Sequence, residues 1–94
     1  MRSAIHPGEH LAEQLETLGM SASALARQLG VPANRVTGIL NGQRAITGDT
    51  ALRLGHFFGT SPEFWLNAQR AVDLWEASRA IGSEVERIKP IAAA

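Results

Sequence analysis

The segment from Ala22 to Asn41 constrains the fold of this chain more than any other. It contains two short stretches with the 3.6-residue apolar period of helices, separated by a turn at Gly30. Two helices that cross steeply across so short a turn need a small side chain at their contact and a turn residue that tolerates positive φ. Ala26 and Gly30 meet these needs, and Val36 is placed to pack the second helix against the first. The segment therefore predicts a helix-turn-helix over residues 22–41.

The second helix of this segment has a polar, uncharged outward face. The residues expected to face inward are Leu25 and Leu29 on the first helix and Val36, Ile39 and Leu40 on the second. The opposite side carries Asn34, Thr37, Gly38 and Asn41, with Arg35 at its edge. Short polar side chains of this kind reach base edges in a major groove, whereas a solvated helix face is more often rich in Lys and Glu. The pattern favours DNA binding over the alternative, a generic helical bundle in which Ala and Gly serve only packing.

Composition and charge narrow the possible functions. The 94 residues form one domain, 1–94, and their net charge of zero argues against indiscriminate binding to a polyanion. The charge is uneven, because the charged residues from Arg27 to Arg53 are four arginines and one aspartate. Glu9, Glu13 and Glu16 instead make the N-terminal helix acidic. With no cysteine, no membrane-length apolar run and no recognisable signal peptide, we expect a cytoplasmic protein with no membrane association.

The apolar periodicity is helical throughout, and it predicts an all-α fold. The first helix is expected over about 7–18, with Leu11, Leu15 and Leu18 as its apolar stripe and Gly19 at its end. The second runs from a Ser21 cap to Gly30, and the third from Pro32 to Asn41-Gly42. The fourth is capped by Thr47 and ends at Gly59, with an apolar face of Ala51, Leu52, Leu54, Phe57 and Phe58.

The fifth predicted helix, over 62–79, opens on a capping-box arrangement at Thr60-Ser61-Pro62-Glu63. One stripe contains Phe64, Trp65, Ala68, Ala71, Val72 and Trp75, and a second stripe roughly opposite contains Leu66, Leu74 and Ala77. Because two apolar faces need two partners, we expect this helix to form a homodimer, with Leu66, Leu74 and Trp75 at the contact; a C-terminal segment folding back is the alternative. Gly82 is expected to interrupt the helix, Ser83 and Glu86 resemble a further cap, and the tail 90–94 is expected to be disordered.

Other chemistry has little support in the sequence. His6 and His10 have the i, i+4 spacing of metal ligands, but no third ligand lies near them, so surface or capping roles are favoured and neither metal nor cofactor is predicted. No nucleophile and base are paired, and no glycine loop suits a phosphate, so an enzyme is not expected. Trp65 and Trp75 could stack on single-stranded nucleic acid, but at helical spacing in an apolar stripe they favour core or dimer contacts.

From about Ile5 to Trp75 the chain resembles the HigA antitoxins, helix-turn-helix proteins of the Xre and lambda-repressor-like superfamily. The matching segments are HPGEHLAEQLETLGMS, ALARQLGVPANRVTGILNGQRAIT, DTALRLGHFFGTSPEFWLN and the following Asp73-Leu74-Trp75. The resemblance implies a five-helix lambda-repressor-like bundle with a long fifth helix and a short C-terminal extension. It also implies a dimeric antitoxin that binds a HigB-type mRNA endonuclease toxin and represses its own operon at an inverted-repeat operator in double-stranded DNA.

The same resemblance assigns residues to the DNA. The start of the recognition helix corresponds to Pro32, Ala33, Asn34 and Arg35, with Thr37 and Gly38 one turn on and Asn41 and Arg44 at phosphate positions. Asn34, Arg35 and Thr37 are the expected base readers, because Ala33 and Gly38 stand where related repressors often have larger polar residues. Two alternatives stay open: a stand-alone repressor without a toxin, and an adaptor that binds only protein.

Overall fold

The computed structural model describes residues 5–92 and contains five α-helices. They are α1 Pro7–Leu18, α2 Ala22–Leu29, α3 Ala33–Leu40, α4 Gly48–Phe58 and α5 Pro62–Glu86. No strand occurs in this part of the chain, and the predicted all-α fold with a long fifth helix is confirmed. Between residues 5 and 92, no helix combines the length and the hydropathy needed to cross a bilayer.

The helix ends follow local capping chemistry. Gly19, Gly30 and Gly59 end α1, α2 and α4 in the left-handed conformation, as predicted. The Ser21 and Thr47 hydroxyls accept hydrogen bonds from backbone N–H groups in the first turns of α2 and α4, which also confirms the prediction.

The capping box predicted for α5 is wrong. The N-cap is Ser61, whose Oγ accepts from the Phe64 N–H at 3.2 Å, so the third helical position holds Phe64 and not Glu63. A capping box occurs instead at α1, where the sequence did not suggest one. There the Gly8 N–H donates to His6 Nδ1 at 2.9 Å, and the His6 N–H donates to Glu9 Oε2 at 3.3 Å.

All five helices contribute to one core. Its largest fully buried side chains are Trp65, Leu11, Leu25, Ile39, Leu54, Val36 and Pro7. Ala26 is buried in the core, as its small size predicts. Two leucines expected to face inward are exposed: Leu18 by 54% and Leu52 by 63%. Leu18 lies on the same face as Leu11 and Leu15 but in the last turn of α1, beyond the last buried residue of that helix. Leu52 lies about 100° around α4 from the buried Ala51 and so points away from the core.

Two glycines allow close backbone approaches that position the helices. A Cβ on Gly8 would overlap the carbonyl oxygen of Ile39, so the start of α1 packs directly on the end of α3. A Cβ on Gly55 would lie 2.9 Å from the carbonyl oxygen of Thr60, so α4 passes equally close to the chain that enters α5. Neither position has room for a side chain.

Helix α5 continues through Gly82 to Glu86, so the predicted end near residue 79 and the second cap at Ser83 are wrong. A glycine inside a helix costs only about 1 kcal/mol relative to alanine, and the good helix formers Arg79, Ala80 and Glu84 lie within three residues of it. Trp65, Gln69 and Val72 are the buried residues of α5, and the helix beyond Trp75 is largely exposed. Of the predicted tail 90–94, residues 90–92 are exposed and non-helical, while 93 and 94 lie outside the described residues.

Candidate nucleic-acid interface

The outward face of α3 is available to a partner. Asn34, Thr37 and Asn41 are exposed, as is Ala33 in the first turn, while Val36 and Ile39 on the other side are buried. The Thr37 hydroxyl donates to the carbonyl oxygen of Asn34 at 3.4 Å, a long hydrogen bond that a base could replace. The structure therefore places the predicted base readers Asn34 and Thr37 on one accessible surface.

Gly38 has a packing role beside this face. Its carbonyl oxygen accepts hydrogen bonds from the N–H groups of Gln43 at 2.9 Å and Arg44 at 3.0 Å. A Cβ on Gly38 would lie 3.1 Å from the Cβ of Arg44, closer than most side chains approach. The absence of a side chain at Gly38 thus lets the loop fold back on α3, and Arg44 lies next to the polar face as a result.

Arg35 is held by an ion-pair network that sequence reasoning missed. One terminal nitrogen of its guanidinium donates to Asp49 Oδ1 at 2.9 Å, and Arg53 Nε donates to the same oxygen at 2.7 Å. Arg53 also donates to the carbonyl oxygen of Leu29 at 2.7 Å. The network joins the end of α2 to the first turns of α3 and α4. The sequence did contain a sign of this network. Asp49 is the one acidic residue among the four arginines of residues 27–53, and it lies four positions before Arg53, the spacing of an ion pair on one helix face.

The charge of Asp49 is favoured by these partners. The hydrogen bond from Arg53 is the main cause that lowers the pKa of the Asp49 carboxyl. Desolvation opposes it, and the positive charges of Arg53 and Arg35 together with the hydrogen bond from Arg35 lower the pKa further. The carboxylate is therefore ionised at neutral pH and remains a fixed acceptor for both arginines.

A buried glutamine fixes the loop between α3 and α4. Gln69 Oε1 accepts from the Ile46 N–H at 2.8 Å, and Gln69 Nε2 donates to Asp73 Oδ1 at 2.9 Å. The loop that carries Arg44 is thereby attached to α5. Sequence analysis did not single out Gln69, although a polar residue between Trp65 and Val72 on an apolar stripe was a usable signal.

The positive charge near this surface is only partly neutralised. Arg27 and Arg44 are exposed, and no ion pair within residues 5–92 engages either of them. Arg44 lines an open recess with Arg35, Ala45, Thr47, Asp49 and Thr50. Cationic side chains beside a polar uncharged face are what binding to a duplex requires, since phosphate contacts position the protein and base contacts specify the sequence.

The remaining candidates from the sequence are capping, packing or surface residues. His6 caps α1, His10 makes an edge contact with Phe64 at 5.4 Å between ring centroids, and His56 is exposed. Across residues 5–92, no group of three metal-ligating side chains comes together. Trp65 is a core residue whose Nε1 donates to Thr60 Oγ1 at 3.0 Å, so it offers no stacking surface.

The three residues predicted for dimerisation do not share one free face. Leu66 is half-buried against the core of its own chain, and the half-buried Trp75 carries the Arg79 guanidinium over its ring at 4.8 Å. Leu74 is 62% exposed and begins a stripe that continues with Ile81 and Val85. In the second half of α5 the exposed apolar residues thus extend beyond those that the sequence predicted for the contact.

Comparison with known proteins defines the class first. A family model described as Helix-turn-helix matches residues 11–65, which include α2 and α3, so the chain is a helix-turn-helix protein. It is 40% identical over 91 residues to Antitoxin HigA-1 of Vibrio cholerae, a match that covers 96% of this chain and 86% of the relative. The chain belongs to the HigA antitoxin family, which consists of DNA-binding antitoxins and regulators and not of enzymes.

Solved structures agree with this assignment. An addiction module antidote protein of the HigA family from Coxiella burnetii superposes with a TM-score of 0.92 at 56% identity and covers 95% of this chain and 99% of its own. Antitoxin HigA of Pseudomonas aeruginosa, solved with the higBA promoter, gives a TM-score of 0.90 at 42% identity with the same coverage. Other relatives are described only as HTH-type transcriptional regulators.

Proposed function

We propose that this protein is a dimeric antitoxin that binds an inverted-repeat operator through α3 and represses its own operon. The observation that carries the proposal is the exposed, uncharged polar face of α3, flanked by Arg44 and braced by Asp49. The Pseudomonas HigA, which shares this fold and was solved with promoter DNA, supports the proposal that this chain binds DNA.

In this proposal Asn34 and Thr37 contact base edges, Arg35 contacts a base, and Asn41 and Arg44 contact phosphates. Ala33 allows close approach of α3 to the groove, and its methyl group suits the methyl of thymine. Gly38 contributes by letting the loop bring Arg44 beside α3. Base contacts and phosphate contacts respond differently to sequence and salt, so the two groups are separable by experiment.

The test is titration of a duplex from the region upstream of the gene, at several salt concentrations. Asn34→Ala and Thr37→Ala should each cost about 1–3 kcal/mol and relax the preference for one base pair. Arg44→Ala should weaken binding to every sequence and reduce the salt slope by about 0.9. Asn67→Ala, the same change on an exposed part of α5, is the control and should have no effect. Wild-type affinity in all three α3 and loop variants would refute the assignment.

We also place the dimer contact on the second half of α5. Leu74, Ile81 and Val85 are exposed by 62%, 45% and 49%, and with Ser78 they have the alternating spacing of four and three residues that is typical of a two-helix seam. A two-fold axis there would set two recognition helices about 34 Å apart, the separation of half-sites one DNA turn from each other.

Sedimentation tests this contact. The double variant Leu74→Glu with Ile81→Glu should be a folded monomer with weak operator binding, whereas Leu52→Glu, at a leucine equally exposed on α4, should leave the dimer intact. Leu66 is unsuitable for this test because it packs on the core. An unaltered protein that is monomeric at about 20 μM would refute the dimer.

Toxin neutralisation is proposed for the acidic face of α1. Glu13 and Glu16 are exposed, whereas one carboxylate oxygen of Glu9 already accepts a hydrogen bond from the His6 N–H. A ribonuclease partner is expected to be basic, and complementary charge would speed its association. Glu13→Gln with Glu16→Gln should impair rescue of growth and recovery of the complex when the adjacent small gene is co-expressed. Glu84→Gln with Glu86→Gln is the charge-matched control.

A stand-alone repressor is the second candidate, favoured by the relatives described only as transcriptional regulators. It predicts operator binding with no complex in the co-expression experiment. If the double variant at Glu13 and Glu16 rescues growth as fully as the control at Glu84 and Glu86, the antitoxin role is retained but the toxin contact lies outside α1.

A further inference from the structure

We propose that Asp49 determines the specificity of the DNA-binding face by fixing the direction of Arg35, so that Arg35 contacts a base edge and does not move freely to phosphates. The inference rests on the proposed operator binding, and it assigns a role to a residue that itself lies off the polar face of α3. Asp49 acts through Arg35 and is a positioning residue.

The geometry of the pair supports this role. Arg35 belongs to the first turn of α3 and Asp49 to the first turn of α4, and their side chains are 30% and 55% exposed. The contact uses one terminal nitrogen of the guanidinium and Asp49 Oδ1, at 2.9 Å. An arginine has five N–H donors in a rigid planar fork, so donors of Arg35 are left for a base while its direction is constrained.

The carboxylate is itself held in place. Arg53 lies one turn along α4 from Asp49, donates to the same Oδ1 at 2.7 Å, and is attached to the backbone of α2 through the Leu29 carbonyl oxygen. Asp49 is therefore a fixed acceptor and not a mobile surface carboxylate. Because Arg53 is bound to α2, the position of the Arg35 guanidinium is fixed by contacts to both α2 and α4, and not by α3 alone.

The charges explain why fixing Arg35 would raise specificity. Two guanidinium groups share one carboxylate, so the cluster carries a single net positive charge. Without the carboxylate, Arg35 would be a second free cation on a flexible chain, and such a cation finds a phosphate on any duplex. Asp49 would thus weaken binding to unrelated DNA while it keeps the fork aligned for the correct base.

The test compares wild-type protein with Asp49→Asn, which keeps the shape and removes the charge. Two probes of about 30 base pairs are used: the region upstream of the gene, and a scrambled duplex of equal composition. We expect Asp49→Asn to bind the scrambled duplex more tightly, with a salt slope steeper by about 0.9. The ratio of the two affinities should fall about tenfold.

Two further variants make the result specific. In an Arg35→Ala background, Asp49→Asn should change the ratio little, because the proposed effect passes through Arg35. Glu13→Gln removes the same charge from an exposed position on α1 and should leave the ratio unchanged. Circular dichroism of each variant reports whether the fold is retained.

The outcomes are distinguishable. If Asp49→Asn weakens binding to both duplexes equally, or leaves their ratio unchanged while the wild type discriminates between them, Asp49 is only a structural contact and the inference is overturned. A wild-type protein that does not discriminate between the duplexes overturns the proposed operator binding, and this inference with it. A ratio that falls equally in Glu13→Gln also overturns it, since net charge would then be the cause.

Discussion

Replacing Gly8 by alanine should destabilise the protein, although alanine is the better helix former. The new Cβ would overlap the Ile39 carbonyl oxygen, which is backbone and cannot rotate away. It would also lie 3.2 Å from His6 Nδ1, the atom that accepts the capping hydrogen bond of α1. To relieve the overlap, α1 must move away from α3, and the packing of α1 on α3 loosens.

The magnitude follows from three contributions. Forcing a methyl group into a packed contact costs about 1–3 kcal/mol. Disturbance of the cap adds up to about 1 kcal/mol. Alanine lowers the conformational entropy of the unfolded chain, which offsets about 0.4–1 kcal/mol of this loss of stability. At mid-range values of these contributions the net loss is about 2 kcal/mol, which lowers the Tm of a domain of this size by about 8–16 °C.

Urea unfolding followed by circular dichroism, at one protomer concentration, measures this loss. Gly48→Ala is the matched control, because Gly48 lies in the first turn of α4, its φ is not positive and a Cβ there meets nothing within 4 Å. It should be neutral or stabilising by about 0.4–1 kcal/mol. If Gly8→Ala is as stable as Gly48→Ala, the close approach of α1 and α3 does not exist in the folded protein and the reasoning is refuted.

Three other changes test separate parts of the structure. Gln69→Leu should lose about 1–3 kcal/mol of stability, because the buried Ile46 N–H is left without its acceptor, and operator titration should show weaker binding as the loop carrying Arg44 loosens. Gly82→Ala should raise the helical signal in far-UV circular dichroism with little change in the main unfolding transition, since a Cβ there meets nothing and the second half of α5 stands outside the core. Because the folded-state pKa of Asp49 is lowered, its contribution to stability is present above the unfolded pKa and lost as pH falls through the folded value. The stability difference between wild type and Asp49→Asn should therefore stay constant from about pH 8 to pH 5 and shrink only below that range.

The features that the sequence predicted correctly are those decided within a few residues. The glycine ends of α1, α2 and α4, the caps at Ser21 and Thr47 and the inward faces of α2 and α3 depend only on local conformation and periodicity. The polar face of α3 belongs with them, because it is the complement of Val36 and Ile39 on an eight-residue helix.

The contacts around α3 and α4 that escaped prediction join residues far apart in the chain. The contact of Arg35 with Asp49 spans 14 residues, that of Ile46 with Gln69 spans 23, and that of Arg53 with Leu29 spans 24. Helical periodicity carries no information about such pairs. For the same reason the sequence predicted only a DNA contact for Arg35, whereas the structure shows that Arg35 belongs to an intramolecular ion-pair network.

The shortness of α3 explains why these distant contacts matter for binding. A helix of eight residues is unstable by itself in water, and its N-cap, Pro32, makes no side-chain capping hydrogen bond. Helix α3 must therefore be held by its neighbours: by the core through Val36 and Ile39, by α1 through the contact at Gly8, and by α4 through Asp49. Residues outside the proposed DNA-binding face then determine the position of those on it, so changes at Gly8, Asp49 or Gln69 should alter operator binding through the geometry of α3 and its loop.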